Sequence, residues 1–340
     1  MKKQINAFVL SGLISALFLV GCGDKSSAPS TAGNEPASNA PAAAAASIAI
    51  DGSTTVFPIV STVAEDFKAE NASISPTVSK AGTGSGFKKF IDGELDIVTA
   101  SRPVKDDELK KLEEKKIEFV EIPVAYDGVS VIVNPGNTWA KNVTKDELKA
   151  AWAKGSKVAT WNEINPAFPK EKITFYGPTD NHGTYEYFTE AINGKQNEIR
   201  EAYQPNQEYT AIVTAVAGDK SAMAFVGYNY YLENKDKVSA LTVGGVAPTD
   251  ETIVNGTYTP LSRPLFIYVK KSSMANEAVK KFVDFVLGEK GQAAVTENSF
   301  VKLPADVLEA VKAHVAAGEV GTKMKDFKPG MKLTDRFGKK

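Results

Sequence analysis

The chain has 340 residues, and its 40 Lys and Arg residues against 41 Asp and Glu residues give a formal net charge of −1 at pH 7. This balance, without a long run of one sign, argues against a nucleic-acid-binding protein, so no nucleic acid is expected as a partner. The single cysteine excludes a disulfide framework.

The first 21 residues have the features of a secretion signal. Lys2 and Lys3 form a basic start, and residues 7–20 are an apolar stretch that is too short to span a bilayer. The sequence LVGC at residues 19–22 resembles the lipobox of bacterial lipoproteins, in which the cysteine is acylated after cleavage. We therefore expect a lipid anchor on Cys22, the alternative being a chance cysteine after an ordinary signal.

Residues 22–46 are small, polar and dotted with proline, which predicts a disordered tether. The folded part is expected to begin at Ser47 and is long enough for one large or two moderate domains. No second apolar stretch of spanning length follows. The sequence thus predicts an exported lipoprotein anchored in a membrane, with its body in the periplasm or on the outer face of the cell membrane.

Short β-branched runs alternate with helical patterns along the folded part. Strands are predicted at residues 47–50, 77–80, 96–100, 173–177, 221–227, 239–244 and 265–271, with two further strands within residues 119–134. Helices are predicted at residues 56–70, 87–93, 106–116, 144–153, 184–194 and 277–287. This alternation predicts an α/β protein with mostly parallel sheets, whose ligands bind beyond the carboxyl ends of the strands.

Three strand-to-helix turns carry the same chemistry. The first turn is DGSTT (residues 51–55), the second is GTGSG (residues 82–86) and the third is TDNHGT (residues 179–184). Each places glycine and hydroxyl residues before a helix, where unpaired N–H groups and partial positive charge favour an anion. One such turn alone is as often a plain N-cap. Three turns aimed at one point could supply the roughly −8 kcal/mol that micromolar binding requires.

Known nucleotide motifs match the second turn only weakly. Its spacing is G-x-G-x-G rather than G-x-G-x-x-G, and Phe87 stands after Gly86, where a P-loop needs lysine. A cationic partner for an anion is expected as well. Arg102 follows the strand 96–100 at the ligand edge, and Arg263 repeats the pattern in LSRP. Arg102 is the stronger candidate, and a surface or inter-domain ion pair is the alternative for each.

Six segments in this order, IDGSTTVFPI, GTGSGFKKF, DIVTASRP, PVAYDGVSVIVNP, YGPTDNHGTYEYFTEAING and LSRPLFIYV, resemble the PstS-like phosphate-binding proteins of Pst-type ABC importers. The resemblance implies a type II periplasmic-binding-protein fold, with two α/β lobes of mixed, mostly parallel sheets joined by two crossing strands. Lobe I would comprise residues 47–128 and 262–340, and lobe II residues 129–261. The resemblance also implies a monomer that binds inorganic phosphate with high affinity between the lobes and delivers it to a membrane permease.

Matched onto this sequence, the resemblance assigns phosphate contacts to Ser53, Thr54, Thr55, Thr83, Ser85, Ser101, Arg102, His182, Gly183 and Thr184. Two departures from the family pattern stand out. His182 replaces a common serine, and Arg102 stands where other members have an aspartate. The second departure removes the carboxylate expected to accept the proton of hydrogen phosphate, and Asp180 or Asp51 could take over that role.

Other functions stay open at this point. They are binding of another tetrahedral oxyanion such as sulfate or molybdate, and a phosphate sensor or adhesin without transport. An exported hydrolase is disfavoured because His182 and His314 are far apart and no H-x-x-x-H, D-x-D or G-x-S-x-G pattern occurs. The aromatic segments 161–168 and 227–231 are better explained by packing than by carbohydrate binding. We therefore predict a binding protein rather than an enzyme, without cofactor or metal.

Overall fold

The structure is a computed structural model that describes residues 46–180, 182–298, 300–326 and 331–337. The predictions of a signal peptide, of a lipid on Cys22 and of a tether concern residues outside these ranges. Ala46, the last residue assigned to the tether, instead opens the first strand. None of the described helices combines the length and the apolar character needed to cross a membrane.

The described strands are β1 (Ala46–Gly52), β2 (Ile74–Val78), β3 (Ile97–Ala100), β4 (Phe119–Val133), β5 (Asn142–Val143), β6 (Thr174–Pro178), β7 (Gln204–Asn206), β8 (Ala222–Gly227), β9 (Ser239–Ala240), β10 (Thr242–Val243) and β11 (Ser262–Lys270).

The described α-helices are α1 (Phe57–Glu70), α2 (Thr83–Asp92), α3 (Asp106–Glu114), α4 (Lys145–Trp152), α5 (Trp161–Ile164), α6 (Gly183–Phe188), α7 (Tyr209–Gly218), α8 (Tyr228–Glu233), α9 (Asp250–Val254), α10 (Glu277–Val286), α11 (Glu289–Glu297), α12 (Ala305–Ala317) and α13 (Thr334–Phe337). A π-helical segment, Thr189–Asn193, continues α6, and a 3₁₀ turn, Ser273–Ala275, precedes α10.

One mixed sheet organises the described chain, in the strand order β2-β1-β3-β11-β4-β8-β6-β7, with β9 paired to β4. The pairs β1–β2, β1–β3, β6–β8 and β6–β7 are parallel. The pairs that involve β4 or β11 within this sheet are antiparallel. Parallel strands connected through helices are the arrangement that the alternating sequence pattern predicts, and the α/β class with a mixed sheet is confirmed.

Strand β4 corrects one prediction, because residues 119–133 form one long strand rather than two. All of its residues are buried. It pairs with β11 from Phe119 to Gly128 and with β8 from Val129 to Val133. Asp-Gly is ordinarily a turn signal, yet here Asp127 pairs with an arginine of β11 and the strand continues.

The change of partner along β4 divides the sheet into two halves. We call β2, β1, β3 and β11 the first half, and β8, β6 and β7 the second half. Ser262, where β11 begins, lies opposite Gly128 in the register of the two strands. The predicted lobe boundaries, after residues 128 and 261, lie at this place and stay a prediction.

Helix α2 begins at Thr83, four positions before its predicted start, so most of the second turn is already helical. The glycines at the start of α2 are required for different structural reasons. Gly82 has a φ of +92°, a conformation that side chains rarely adopt. A Cβ on Gly86 would lie 2.6 Å from the Cα of Gly52, whereas a Cβ on Gly84 would meet nothing within 4 Å. The close packing of α2 on β1 therefore depends on Gly86.

Candidate anion-binding site

Backbone hydrogen bonds hold the first turn, the second turn and the end of β3 at one edge of the sheet. The N–H of Ser53 donates to the carbonyl of Thr99 at 3.0 Å, and the N–H of Gly82 donates to the carbonyl of Gly52 at 2.7 Å. This is the carboxyl edge of the parallel strands β1 and β3, where the sequence predicted ligand contacts.

A cleft of about 570 Å³ lies beside this edge. Five of the ten predicted contact residues line it, and we call them the cleft cluster: Thr54, Thr55, His182, Gly183 and Thr184. The other lining residues are Phe57, Pro58, Lys80, Asp127, Gln207, Glu208, Tyr209, Thr210, Gly227, Tyr230, Glu297, Asn298 and Phe300. The cleft cluster combines the first turn, from the first half of the sheet, with the third turn, from the second half.

The first and third turns are in direct contact. A Cβ added to Gly183 would lie 1.9 Å from the Oγ1 of Thr55 and 2.8 Å from its Cα. Only glycine at this position therefore lets α6 approach the first turn so closely. The hydroxyl of Thr54 donates to the Oε2 of Glu186 at 3.3 Å, and burial raises the pKa of that carboxyl.

Ser53 has a structural role in the first turn. It is 1% exposed, and its hydroxyl accepts hydrogen bonds from the N–H groups of Thr55 and Val56 at 3.2 and 3.3 Å. This is the capping role that was the alternative for hydroxyl residues before a helix. Ser53 is not among the described residues that line the cleft, and its contact with phosphate stays a prediction.

The remaining predicted contacts, Thr83, Ser85, Ser101 and Arg102, form a second group that we call the strand-end cluster. The hydroxyls of Thr83 and Ser101 lie 3.3 Å apart, and Ser85 is exposed. Arg102 donates to both carboxylate oxygens of Glu108 at 2.8 Å. None of the four is among the described lining residues, and their contacts with phosphate stay predictions.

Neither carboxylate proposed as proton acceptor lines the cleft among the described residues. Asp51 is 2% exposed, and its oxygens accept from Lys89 at 2.6 Å and from the N–H groups of Gly52 and Ala81 at 2.7 and 2.8 Å. Burial opposes ionisation, yet these hydrogen bonds lower the pKa of Asp51. Asp180 is exposed. The geometry thus favours neither, and the predicted acceptor role is untested.

His182 faces the cleft, whereas the sequence left open whether it points away. Its ring packs edge-on against Tyr209, with centroids 4.9 Å apart. Its Nε2 is buried and has no hydrogen-bond partner among the described residues. Burial lowers the pKa of His182, against opposing effects of the Gln207 backbone and of Glu208. A neutral imidazole at neutral pH can donate one hydrogen bond to a ligand.

Neither Arg102 nor Arg263 is among the described residues that line the cleft, but Arg263 contacts three residues that are. Its Nε and Nη2 donate to Asp127 Oδ2 at 3.3 and 3.2 Å, and Nη2 also donates to Thr55 Oγ1 at 3.2 Å and to Gly183 O at 3.4 Å. The pair is buried, with Arg263 at 7% and Asp127 at 4% exposure. Sequence reasoning gave Asp127 no role, although an acidic residue within so apolar a segment, which also contains Glu121, was a usable signal.

Backbone dipoles rather than side-chain charge favour an anion here. The lining side chains include the cation Lys80 but also the carboxylates Asp127, Glu208 and Glu297. The N-terminal residues of α1, α6 and α7 line the same cleft, and helix N-termini carry partial positive charge.

Helix α7 was missed by the sequence prediction, although Ile212, Val213 and Val216 give it an apolar face.

Comparison with known proteins agrees with this geometry. Residues 37–290 match the family model of the PBP superfamily domain. A phosphate-binding protein PstS of Staphylococcus epidermidis is 42% identical over 250 residues, which cover 72% of this chain and 75% of that protein. The chain belongs to the PstS-like phosphate-binding proteins. Members of this family are substrate-binding proteins of ABC importers, so the prediction that the chain is not an enzyme is confirmed.

Solved structures extend the similarity to the fold. A possible phosphate-binding protein from Planctomyces limnophilus is 41% identical, with a TM-score of 0.77 over 81% of this chain and 99% of that one. A putative phosphate ABC transporter substrate-binding protein from Clostridium perfringens, solved with bound phosphate, is 29% identical, with a TM-score of 0.56 over 76% of this chain and 100% of that one. The type II periplasmic-binding-protein fold is thereby confirmed.

Proposed function

We propose that this PstS-like protein binds inorganic phosphate at the cleft cluster and delivers it to the membrane permease of an ABC importer. The observation that carries the proposal is the meeting of the first and third turns, from opposite halves of the sheet, at a cleft that three helix N-termini also line. The bound phosphate of the Clostridium perfringens relative supports the choice of ligand.

In this proposal, hydrogen bonds rather than a free cation hold the anion. Thr54, Thr55 and Thr184 offer hydroxyl groups, and the first N–H groups of α6 lack partners within their own helix. Charge-assisted hydrogen bonds contribute roughly 1.5–3 kcal/mol each. Several of them together supply high affinity, and each contact strengthens as the bound anion is sequestered from solvent.

Calorimetric titration of protein stripped of bound phosphate tests the ligand. We expect submicromolar phosphate affinity, weakened by Thr54→Val, and a much smaller response to sulfate. Equal affinity for both anions would support the alternative of a general oxyanion-binding protein. Absence of heat with either anion, in protein that is folded by circular dichroism, would refute binding of a tetrahedral anion.

Transport and anchoring belong to the same proposal. We propose that the chain is exported, that it acts as a monomer and that a lipid on Cys22 holds it at the membrane. Phosphate uptake by cells that lack this protein should fall if it serves a permease, and should stay normal if it is only a sensor or adhesin. Cys22→Ser should move the protein from the membrane fraction to the soluble fraction.

A further inference from the structure

Arg263 has partners in addition to the carboxylate of its ion pair with Asp127. Arg263 lies in β11 directly opposite Asp127 in β4. This pair is next to the pair Ser262–Gly128, after which β4 changes its partner strand. Its guanidinium thus sits where β4 passes from one half of the sheet to the other.

From this place, Arg263 contacts both halves. Its Nη2 donates to Thr55 of the first turn and to the carbonyl of Gly183 at the start of α6. Its guanidinium carbon also lies 3.7 Å from the ring centroid of Tyr187 in α6. The hydroxyl of Tyr187 donates to Pro260 O at 2.7 Å, which ties α6 to the segment leading into β11.

The geometry of these partners requires an arginine. One planar fork serves the carboxylate of Asp127, a hydroxyl and a carbonyl while its face stacks on an aromatic ring, which the compact ammonium of lysine cannot do. Thr55 belongs to the same half of the sheet as Arg263, whereas the contacts to Gly183 and Tyr187 exist only while α6 lies beside that half. Their free energy therefore favours the closed cleft over any arrangement that separates the two turns.

We propose that Arg263, held by Asp127, is the positioning residue that latches the first turn to α6 and thereby retains the ligand in the closed cleft. The proposal rests on the proposed function, since it assigns Arg263 to retention of the anion and not to direct contact with it. A latch of this kind acts on the dissociation rate, because encounter takes place before the turns meet.

Arg263→Lys is the test, and Arg200→Lys is its matched control. Arg200 is also buried, at 4% exposure, and also stacks at 3.7 Å over an aromatic ring, that of Phe175. It donates to the carbonyls of Ala151, Val158 and Ala202, and none of these partners is among the described residues lining the cleft, unlike the partners of Arg263. Both variants should lower the melting temperature of the unliganded protein.

Stopped-flow kinetics with inorganic phosphate separates the two variants. Arg263→Lys should raise the dissociation rate about tenfold or more while the association rate changes little. It should also reduce the compaction that small-angle scattering detects on adding phosphate. Arg200→Lys should change neither. Unchanged dissociation and compaction in a folded Arg263→Lys protein would overturn the latch. If that variant does not fold, Asp127→Asn, which removes the charge that anchors Arg263, should show the same increase in dissociation.

Hydrogen exchange without phosphate distinguishes failure of the latch from failure of the proposed function. Amides of α6 should exchange faster in Arg263→Lys than in Arg200→Lys, whether or not the wild-type protein binds phosphate. A wild-type protein that ignores phosphate would refute the proposed function alone. Equal exchange of α6 in the two variants would refute the latch.

Discussion

His182 combines a titratable ring with a place in the cleft. Burial lowers its pKa from 6.5, so the ring is neutral at neutral pH and gains a proton only as the pH falls through that lowered value. The imidazolium form would add a positive charge beside a bound anion. The protonation state of one side chain should therefore tune phosphate affinity.

Replacement of the histidine tests this role. The ratio of the phosphate affinity of the wild-type protein to that of His182→Ser should rise about tenfold as the pH falls through the lowered pKa, since a charge-assisted hydrogen bond forms only in the wild type. Titration of both proteins over the same pH range cancels the protonation of phosphate itself. A flat ratio would show that His182 does not contact the anion.

The stability of the unliganded protein should fall on acidification, whereas the phosphate affinity contributed by His182 should rise. The neutral ring contributes stability above 6.5, its ordinary pKa, and this contribution is lost as the pH falls below that value through the lowered pKa. Without phosphate, the wild-type protein should therefore lose stability relative to His182→Ser on acidification. Chemical denaturation at several pH values measures the difference.

At the scale of elements, two glycines decide how closely helices approach the carboxyl edge of β1 and β3. Gly86 lets α2 pack on β1, and Gly183 lets α6 reach the first turn. Both have ordinary helical backbone, so space rather than conformation requires glycine. Their neighbours within 3 Å include backbone atoms, which cannot move aside as a flexible side chain can.

Gly86→Ala should destabilise the fold by about 1–3 kcal/mol, because the new methyl group overlaps Gly52 and Val98. Gly84→Ala is the control, since its methyl group meets nothing within 4 Å. It should raise stability by about 0.4–1 kcal/mol through the lower entropy of the unfolded chain. Urea denaturation of both variants checks the contrast, and equal stabilities would contradict the packing explanation.

Gly183→Ala should weaken phosphate binding rather than the fold. The methyl group would overlap Thr55 and hold α6 away from the first turn, which costs the closed cleft about 1–3 kcal/mol. Gly218→Ala, at the opposite end of α7 from the cleft, meets nothing within 4 Å and should bind phosphate normally. Calorimetry on both variants measures the difference; undiminished affinity in Gly183→Ala would show that the observed contact is not needed for binding.

At the scale of the whole molecule, a ligand that bridges the two halves of the sheet should stabilise the protein against unfolding. At a phosphate concentration about 100 times the dissociation constant, the gain is about 2.7 kcal/mol. For a folded part of this length, with an unfolding entropy of about 2.1 cal/mol/K per residue, this corresponds to a rise of the melting temperature by roughly 4–5 °C. Scanning calorimetry with sulfate at the same concentration is the control, and an equal rise would show that the cleft does not discriminate between the anions.

The sequence by itself determined the α/β class, the main strand–helix order, the expected class of ligand and five of the residues that line the cleft. These follow from local signals, namely apolar periodicity and the glycine–hydroxyl turns, which depend on neighbouring residues. The six quoted segments also sufficed to indicate the family. The turn pattern selected the segments that contain these five residues, and the resemblance named Thr54, Thr55, His182, Gly183 and Thr184 within them.

Only the tertiary structure decided which arginine contacts residues of the cleft and how the turns meet. Arg102 and Arg263 have the same local context, but Glu108 lies within reach of the first, and Asp127, Thr55 and Gly183 surround the second. Likewise, β4 is one strand because its two halves find different partners. Such outcomes depend on contacts between residues far apart in the chain, whose register is set by the sheet and cannot be read from local pattern.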